Sequence, residues 1–581
     1  MFYNSEIMVT TPGQGSIPTQ DGTATESYTQ VPTRSVRRDG PSELPSRTVR
    51  AGGTPVKDRA PWLTLAALVV LGAVSGIAYY LGFVRPYLLS DYYARPLLDL
   101  AKISKATPQS ANEWAFTWAV VFACYWAAFR ICPPAEGVTR AFRRVAFVLI
   151  CAGGAFSAIN LLFMYPVGAA DLFDQIFRAR LTSHYALNPF TTVPGSITGD
   201  PLQAYVAWRG ESSPYGPVWE SLAAGTSLLA GGDLWGNLIA FKLLVIAAYA
   251  VGVLLSYGIL RAVKPEWALR GMLLFAWNPL VLFEIAGNGH NDAVVIMFVL
   301  AGVFFFVRAR QTLVIPAILL GALAKFVPVL LIPTAIAALW RDRAQRVGGR
   351  APRKPIVNIG LGVGISVVLA AILYAPFWTG LEGLLPRNRG SLFTASIPKV
   401  ILDTLTGTYK IQQGTAEGLV RNGAYAIVGL VAVALAVWVF LTPNATTQEG
   451  RAKLVDRTLK AFYEIIFVYL IVASLWFQPW YILWLIALTV PLAAQNTYVV
   501  RTLLFCLGGL LNYFVWDYLW LWNRTDGRTI QTMSALAIYT LPVLYTLWVW
   551  LQNLTNRSKS NQAIITERGH HNVRPATYEL P

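Results

Sequence analysis

Charge is what this 581-residue sequence has least of: Asp, Glu, Lys and Arg make up 13% of it, where a soluble chain carries roughly a quarter. Acids are scarcer than bases, 30 against 47, and histidine, cysteine and methionine number 4, 4 and 6. So little charge excludes a soluble multidomain enzyme and a disordered chain. Cys124, Cys132, Cys151 and Cys506 lie in or beside apolar runs, with no CxxC pair and no histidine near them. They read as buried small hydrophobes, which excludes a disulfide scaffold and a zinc cluster. There is no Walker loop, no GxGxxG after a strand and no HExxH, so ATP hydrolysis, dinucleotide redox and zinc hydrolysis are disfavoured. The net charge of +17 is no nucleic-acid signature, because the bases sit in short loops between apolar runs without a Lys/Arg stripe and interleaved aromatics.

What the sequence has in quantity is apolar length. It is 55% hydrophobic, with a mean hydropathy of +0.48. The apolar residues recur in nearly uncharged runs long enough to cross a ~30 Å hydrocarbon core. The fold class expected is an all-α polytopic membrane protein of about fourteen segments: 62–84, 114–131, 145–165, 235–259, 271–287, 292–308, 312–324, 326–340, 356–377, 422–441, 461–477, 480–494, 500–516 and 531–551. The pair 312–324 and 326–340 is short enough to be a hairpin that does not cross. Loops assigned inside carry 31 Lys and Arg against 14 outside, a bias that puts both termini in the cytoplasm. Residues 1–61, rich in Ser, Thr, Pro and Gly, read as a disordered cytoplasmic tail rather than a signal peptide, and 552–581 as a second cytoplasmic tail. Two long outer loops remain, 166–234 and 378–421. The first is too aromatic for a linker, and its stretch 217–230 reads as a helix lying in the interface.

Ionisable residues at membrane depth are functional candidates, because an unpaired charge there costs a few kcal/mol. Asp171, Asp174, Arg178 and Arg180 follow the exit of the third segment. Spacing puts Asp174 on one helical face with both Asp171 and Arg178, which suits either a site or a solvated helix start with acids at its N-terminus. Asn288-Gly289-His290-Asn291-Asp292 falls between two apolar runs, dense in polar groups for a mere turn. Lys325 lies at the tip of the short hairpin, either snorkelling to headgroups or meeting a lipid phosphate. Trp476-Phe477-Gln478-Pro479-Trp480-Tyr481 joins two segments as an aromatic belt or as a sugar-stacking wall.

Together these residues resemble a family. Asp171 after a helix exit, Arg180, Asn188-Pro189-Phe190, Ser213-Pro214-Tyr215-Gly216-Pro217, Trp277-Asn278-Pro279, Gly289-His290-Asn291-Asp292, the Lys325 hairpin and Gln478-Pro479-Trp480-Tyr481 occur in an order similar to that of the GT-C membrane glycosyltransferases. Within them the chain looks most like the bacterial polyprenyl-phosphate-mannose-dependent mannosyltransferases, over roughly residues 145–500. The resemblance implies a catalytic domain over 145–551, with residues 62–144 as two additional helices. It further implies a polyprenyl-phosphate sugar donor, a glycolipid or glycan acceptor, and a site on the outer face of the cytoplasmic membrane. Asp171 takes the place of the catalytic base, while Asp174 departs from the family's usual Arg or Tyr. Asp174, Arg178, Arg180, Tyr215, His290, Asn291, Asp292, Lys325, Gln478, Trp480 and Tyr481 are then the donor- and substrate-binding candidates. No cofactor is required by this scheme, and an Asp171/Asp292 metal is left open. A transporter or flippase of polyprenyl-linked sugars is the alternative, but the repeat it would show is not evident. A ligase or phosphoethanolamine-type transferase would need a nucleophile that no Ser/Thr motif supplies.

Overall fold

A computed structural model describes residues 61–135, 138–343, 354–380 and 392–571, with side chains to residue 556. All but the last residue of the 1–61 tail, most of the basic loop 341–355, residues 381–391 of the loop 378–421, and 572–581 lie outside the described residues. Among those described there is no strand, only three isolated bridges between helices and loops.

Eight of the described helices are long and apolar enough to cross a membrane: Trp62–Val84, Pro108–Ile131, Arg140–Leu162, Leu234–Val263, Pro355–Phe377, Gln413–Phe440, Asn496–Asn523 and Gly527–Asn556. The chain is thus an all-α polytopic membrane protein. The sequence also starts these helices deliberately. Thr107, Thr139 and Asp233 each accept a hydrogen bond from the backbone N–H three residues on, at 3.1, 3.2 and 2.7 Å, capping α2 (Pro108–Ile131), α3 (Arg140–Leu162) and α6 (Leu234–Val263). α1 (Pro61–Tyr79) packs against α2 and α3.

The other expected segments are shorter or broken. The run 271–287 is a bent pair, α7 (Ala268–Ala276) and a second half from Pro279, at 47° to each other across the break. Asn278 Oδ1 accepts from the N–H groups of Leu280 and Val281, at 3.0 and 3.2 Å. It therefore starts a new helix where a continuous one would have run on. That half ends in a π-turn, Phe283–Gly287. α8 (Asp292–Val307), α9 (Val314–Ala324), α10 (Ile332–Arg341) and α14 (Ile482–Thr489) are too short to cross alone. The run 461–477 is the end of α13 (Gln448–Val468), whose first half carries Arg451, Lys453, Asp456, Arg457 and Lys460, and it breaks into a π-turn at Tyr469–Ala473. Between α10 and α13 lie α11 (Pro355–Tyr374) and α12 (Gln413–Phe440), and after α14 come α15 (Asn496–Phe514) and α16 (Gly527–His571).

α9 and α10 do form the expected hairpin. Gln311 Nε2, at the foot of the first arm, donates to the Asp342 carbonyl at the foot of the second, at 3.1 Å, and Lys325 sits at the tip. The stretch 217–230 is a helix, α5 (Pro217–Ala230), paired with α4 (Asp171–Ser183). The buried Lys242 of α6 donates to the carbonyls of Leu161, Leu162 and Met164, at 3.1, 2.9 and 2.5 Å. An ammonium at a helix C-terminus satisfies carbonyls that have no partner of their own, and here it fixes the exit of α3 from which the chain runs to Asp171.

Candidate active site

Four breaks in the helical framework meet at one end of the bundle. They are the start of α4, the turn between Gly287 and Asp292, the Lys325 tip and the Gln478–Tyr481 turn. Asp171 occupies the first position of α4, half-buried, with its backbone start at Ala170. The chain before and after Asp171 is tied to the turn that ends at Asp292, 121 positions on: Gly168 donates its N–H to Asn288 Oδ1 at 3.0 Å, and a Cβ at Gly289 would fall 2.9 Å from the Leu172 side chain.

The Asp292–Lys325 pair is its polar centre. Asp292 is fully buried and accepts three hydrogen bonds: Lys325 Nζ to each oxygen at 3.0 and 3.1 Å, and Trp484 Nε1 at 2.7 Å. Lys325 keeps 15% of its side chain exposed and lies over the rings of Tyr481 and Trp484, at 4.7 and 5.2 Å. Those two rings stack on each other at 4.7 Å. An ammonium held by one carboxylate and two aromatic faces keeps donors for a further anion. His290 is buried, stacked on Trp480 at 4.0 Å, with Nε2 3.4 Å from Glu284. Asn291 is buried beside it, and Gln478 is half-buried at the start of the turn that carries Trp480 and Tyr481.

The loop 166–234 closes over this centre. Tyr215 accepts from Gln175 Nε2 at 3.2 Å and acts electrostatically on Tyr481. The next residue, Gly216, donates its N–H to the Ala324 carbonyl at 3.0 Å, beside Lys325. A Cβ at Gly216 would fall 2.0 Å from the Leu323 carbonyl oxygen, so only glycine permits this approach. Asn188 Nδ2 donates to the Phe377 carbonyl at 2.8 Å, tying the Asn188-Pro189-Phe190 segment to the turn that follows α11. Trp208 packs edge-on against Trp476 at 5.3 Å.

Three of the expected donor-binding residues are engaged within that loop. Asp174 accepts from Arg178 Nη1 at 3.3 Å and from the N–H groups of Ala207 and Trp208 at 3.2 and 3.0 Å. Burial lifts its carboxyl above the usual range, against the pull of Arg178 and the two amides. Arg178 also donates to the Trp208 and Glu211 carbonyls, at 3.2 and 3.1 Å. Arg180 binds Asp200 through Nε and Nη2 at 3.1 and 2.8 Å, and the Gly232 carbonyl at 3.3 Å. Burial alone would raise Asp200, but the Tyr185 hydroxyl, the Leu202 amide and Arg180 hold it below the usual carboxylate range. These pairs shape the loop over the site.

Sequence reasoning missed Glu284, Tyr513 and Trp484. Glu284 Oε1 accepts from the Tyr513 hydroxyl and Oε2 from Asn288 Nδ2, both at 2.8 Å. It is the one charged residue of the run 271–287, the same signal that singles out Lys325. Tyr513 and Trp484 carry no local signal, being aromatics in apolar helices. Among the described residues no group of three or more His, Cys, Asp or Glu gathers as a metal site.

This arrangement has relatives. Residues 62–341 match the family described as alpha-(1->6)-mannopyranosyltransferase, N-terminal domain. Over that stretch the chain is similar to this mannosyltransferase family. It is 24% identical over 352 residues to alpha-(1->6)-mannopyranosyltransferase A of Mycobacterium tuberculosis, covering 57% of this chain and 63% of that protein. It is 23% identical over 384 residues to a probable alpha-(1->6)-mannopyranosyltransferase of Mycolicibacterium smegmatis, covering 58% and 64%. Alpha-(1->6)-mannopyranosyltransferase B of Corynebacterium glutamicum is 28% identical over 105 residues, covering 18% and 17%. The two longer matches thus take in less than two thirds of the relatives' own length. The family match begins at residue 62 and so includes α1 and α2, the helices set apart above as an addition, together with Asp171, Glu284, Asp292 and Lys325.

Proposed function

We propose that this chain moves a mannosyl group from a polyprenyl-phosphate donor to a hydroxyl of a glycolipid or glycan acceptor, at the outer face of the cytoplasmic membrane. The observation that carries the reading is the buried Asp292–Lys325 pair beneath aromatic rings, in a turn to which the segment leading to Asp171 is hydrogen-bonded. A donor of this kind already holds a good leaving group, so the protein must supply a base, a place for the phosphate and a wall for the sugar. Asp171 takes the proton of the acceptor hydroxyl as its oxygen bonds to the anomeric carbon. The bond from that carbon to the phosphate oxygen breaks with inversion, and the phosphate leaves with the electron pair. Lys325, pre-oriented by Asp292, meets the charge that develops on it. His290, Trp480 and Tyr481 line the sugar, with Tyr215 on the opposite loop, and no cofactor enters the scheme. The excess of Lys and Arg in the loops assigned inside supports the orientation.

The test is transfer of labelled mannose from polyprenyl-phosphate mannose in membranes holding wild type or Asp171→Asn. Removing the base is expected to lower turnover by about 10²–10⁴-fold with expression unchanged. Equal product from both proteins would take the base role away from Asp171.

A further inference from the structure

Glu284 is a buried acid hydrogen-bonded to two other residues of the site region, Tyr513 and Asn288, and the scheme above gives it no task. It lies in the π-turn that ends the broken span, a deviation that recurs at functional sites. Both of its oxygens are engaged, by Tyr513 of α15 and by Asn288 of the turn before α8. Asn288 passes the constraint on: its Oδ1 accepts the backbone N–H of Gly168 at 3.0 Å. Gly168 lies three residues before Asp171, in the segment between α3 and α4. The fit there is close, since a Cβ at Gly168 would fall 2.5 Å from Asn288 Nδ2 and 2.7 Å from the Tyr513 hydroxyl. Behind the relay, Phe283 and Tyr513 pack with Trp114, at 5.5 and 6.3 Å, and Lys242 holds the other end of the same segment at Met164.

The geometry points to Glu284 as a positioning residue: through Asn288 and the Gly168 amide, and buttressed by Tyr513, it sets the place of the Asp171 carboxylate. The inference rests on Asp171 being the base and adds the means by which a residue on a loop is held to the tolerance that catalysis needs. A misplacement of about 1 Å lowers rates roughly 10²-fold. Asn288 is suited to the relay because it donates to the carboxylate with one atom and accepts the amide with the other; neither Asp nor Leu does both.

Glu284→Ala, Asn288→Leu and Gly168→Ala are each expected to lower kcat about 10–100-fold, with KM for polyprenyl-phosphate mannose within about threefold of wild type. Glu284→Gln should recover most of the rate, since its Oε1 accepts from Asn288 and its Nε2 donates to the Tyr513 oxygen. Tyr513→Phe, which deletes one hydroxyl, serves if the alanine variant fails to fold. The deciding measurement is a double variant. A residue acting through Asp171 has nothing left to position in Asp171→Asn, so Glu284→Ala (or Tyr513→Phe) should change the residual rate less than twofold in that background. An equal fold-loss in both backgrounds, or a loss expressed only in KM, overturns the proposal while leaving Asp171 as base. Full activity of Asp171→Asn alone overturns the base reading and with it this one.

Discussion

The Asp292–Lys325 pair makes opposite predictions for its two members. Asp292→Asn keeps the shape of the side chain but removes the charge that opposes Lys325, leaving an ammonium over two aromatic rings with its 3.0 and 3.1 Å ionic contacts gone. Breaking one partner out of a buried pair typically destabilises by about 3–5 kcal/mol. The 15% exposure of Lys325, its aromatic faces and the remaining amide oxygen place this case at the lower end, about 3 kcal/mol. The donor's phosphate is the anion that would replace the lost carboxylate. Donor should therefore stabilise Asp292→Asn more than it stabilises wild type. Lys325→Met strands Asp292 instead and removes the phosphate's partner. Loss of a charged hydrogen bond is worth about 1.5–3 kcal/mol, or roughly 10–100-fold in donor affinity, so the donor-induced stabilisation should shrink by that measure. The assay is thermal unfolding in detergent micelles with and without polyprenyl-phosphate mannose. If donor stabilises both variants to the same extent, or Lys325→Met keeps the wild-type response, Lys325 does not hold the phosphate.

Two further outcomes concern the loop over the site. Burial pushes the Glu220 carboxyl up to about 7, against the Ser213 hydroxyl and Arg178. A raised acid is neutral in the folded state and ionised in the unfolded one between roughly pH 4.3 and 7. Stability should therefore fall across that window by about 4 kcal/mol and level off above it, and Glu220→Gln should flatten the profile measured by unfolding from pH 5 to 8. Asp200 has the opposite sign: its carboxyl is held low by Tyr185, Leu202 and Arg180, so its contribution is present above about pH 4 and lost as the pH falls through its folded value. Asp200→Ala strands the buried Arg180, with an expected loss on the order of 3 kcal/mol by unfolding at neutral pH and little further effect of acid through this residue.

Why some of this was legible in the sequence and some was not comes down to where polar groups meet the apolar pattern. Asp171, His290, Asp292 and Lys325 interrupt that pattern, and an ionisable group at membrane depth needs a partner, so each announces a site wherever the chain puts it. The same pattern misleads about topology. A run of apolar residues shows burial in lipid or protein but not continuity, and the breaks here are local: a side-chain cap at Asn278 before Pro279, and a proline in the first turn after Lys325 and after Gln478. Backbone groups freed at such breaks are tolerated in a membrane only where protein surrounds them or a cavity is lined by them. The breaks and the site are therefore one feature seen twice, and segments shorter than about 17 residues beside an X-Pro step should be read as pointers to a site rather than as weak spans. Partners remain beyond this reasoning. Trp484 meets Asp292 across 192 positions and Tyr513 meets Glu284 across 229, and each is an aromatic whose helix would look the same with a phenylalanine there. Only the fold separates the indole N–H and the phenol O–H that touch a carboxylate from the many that face lipid.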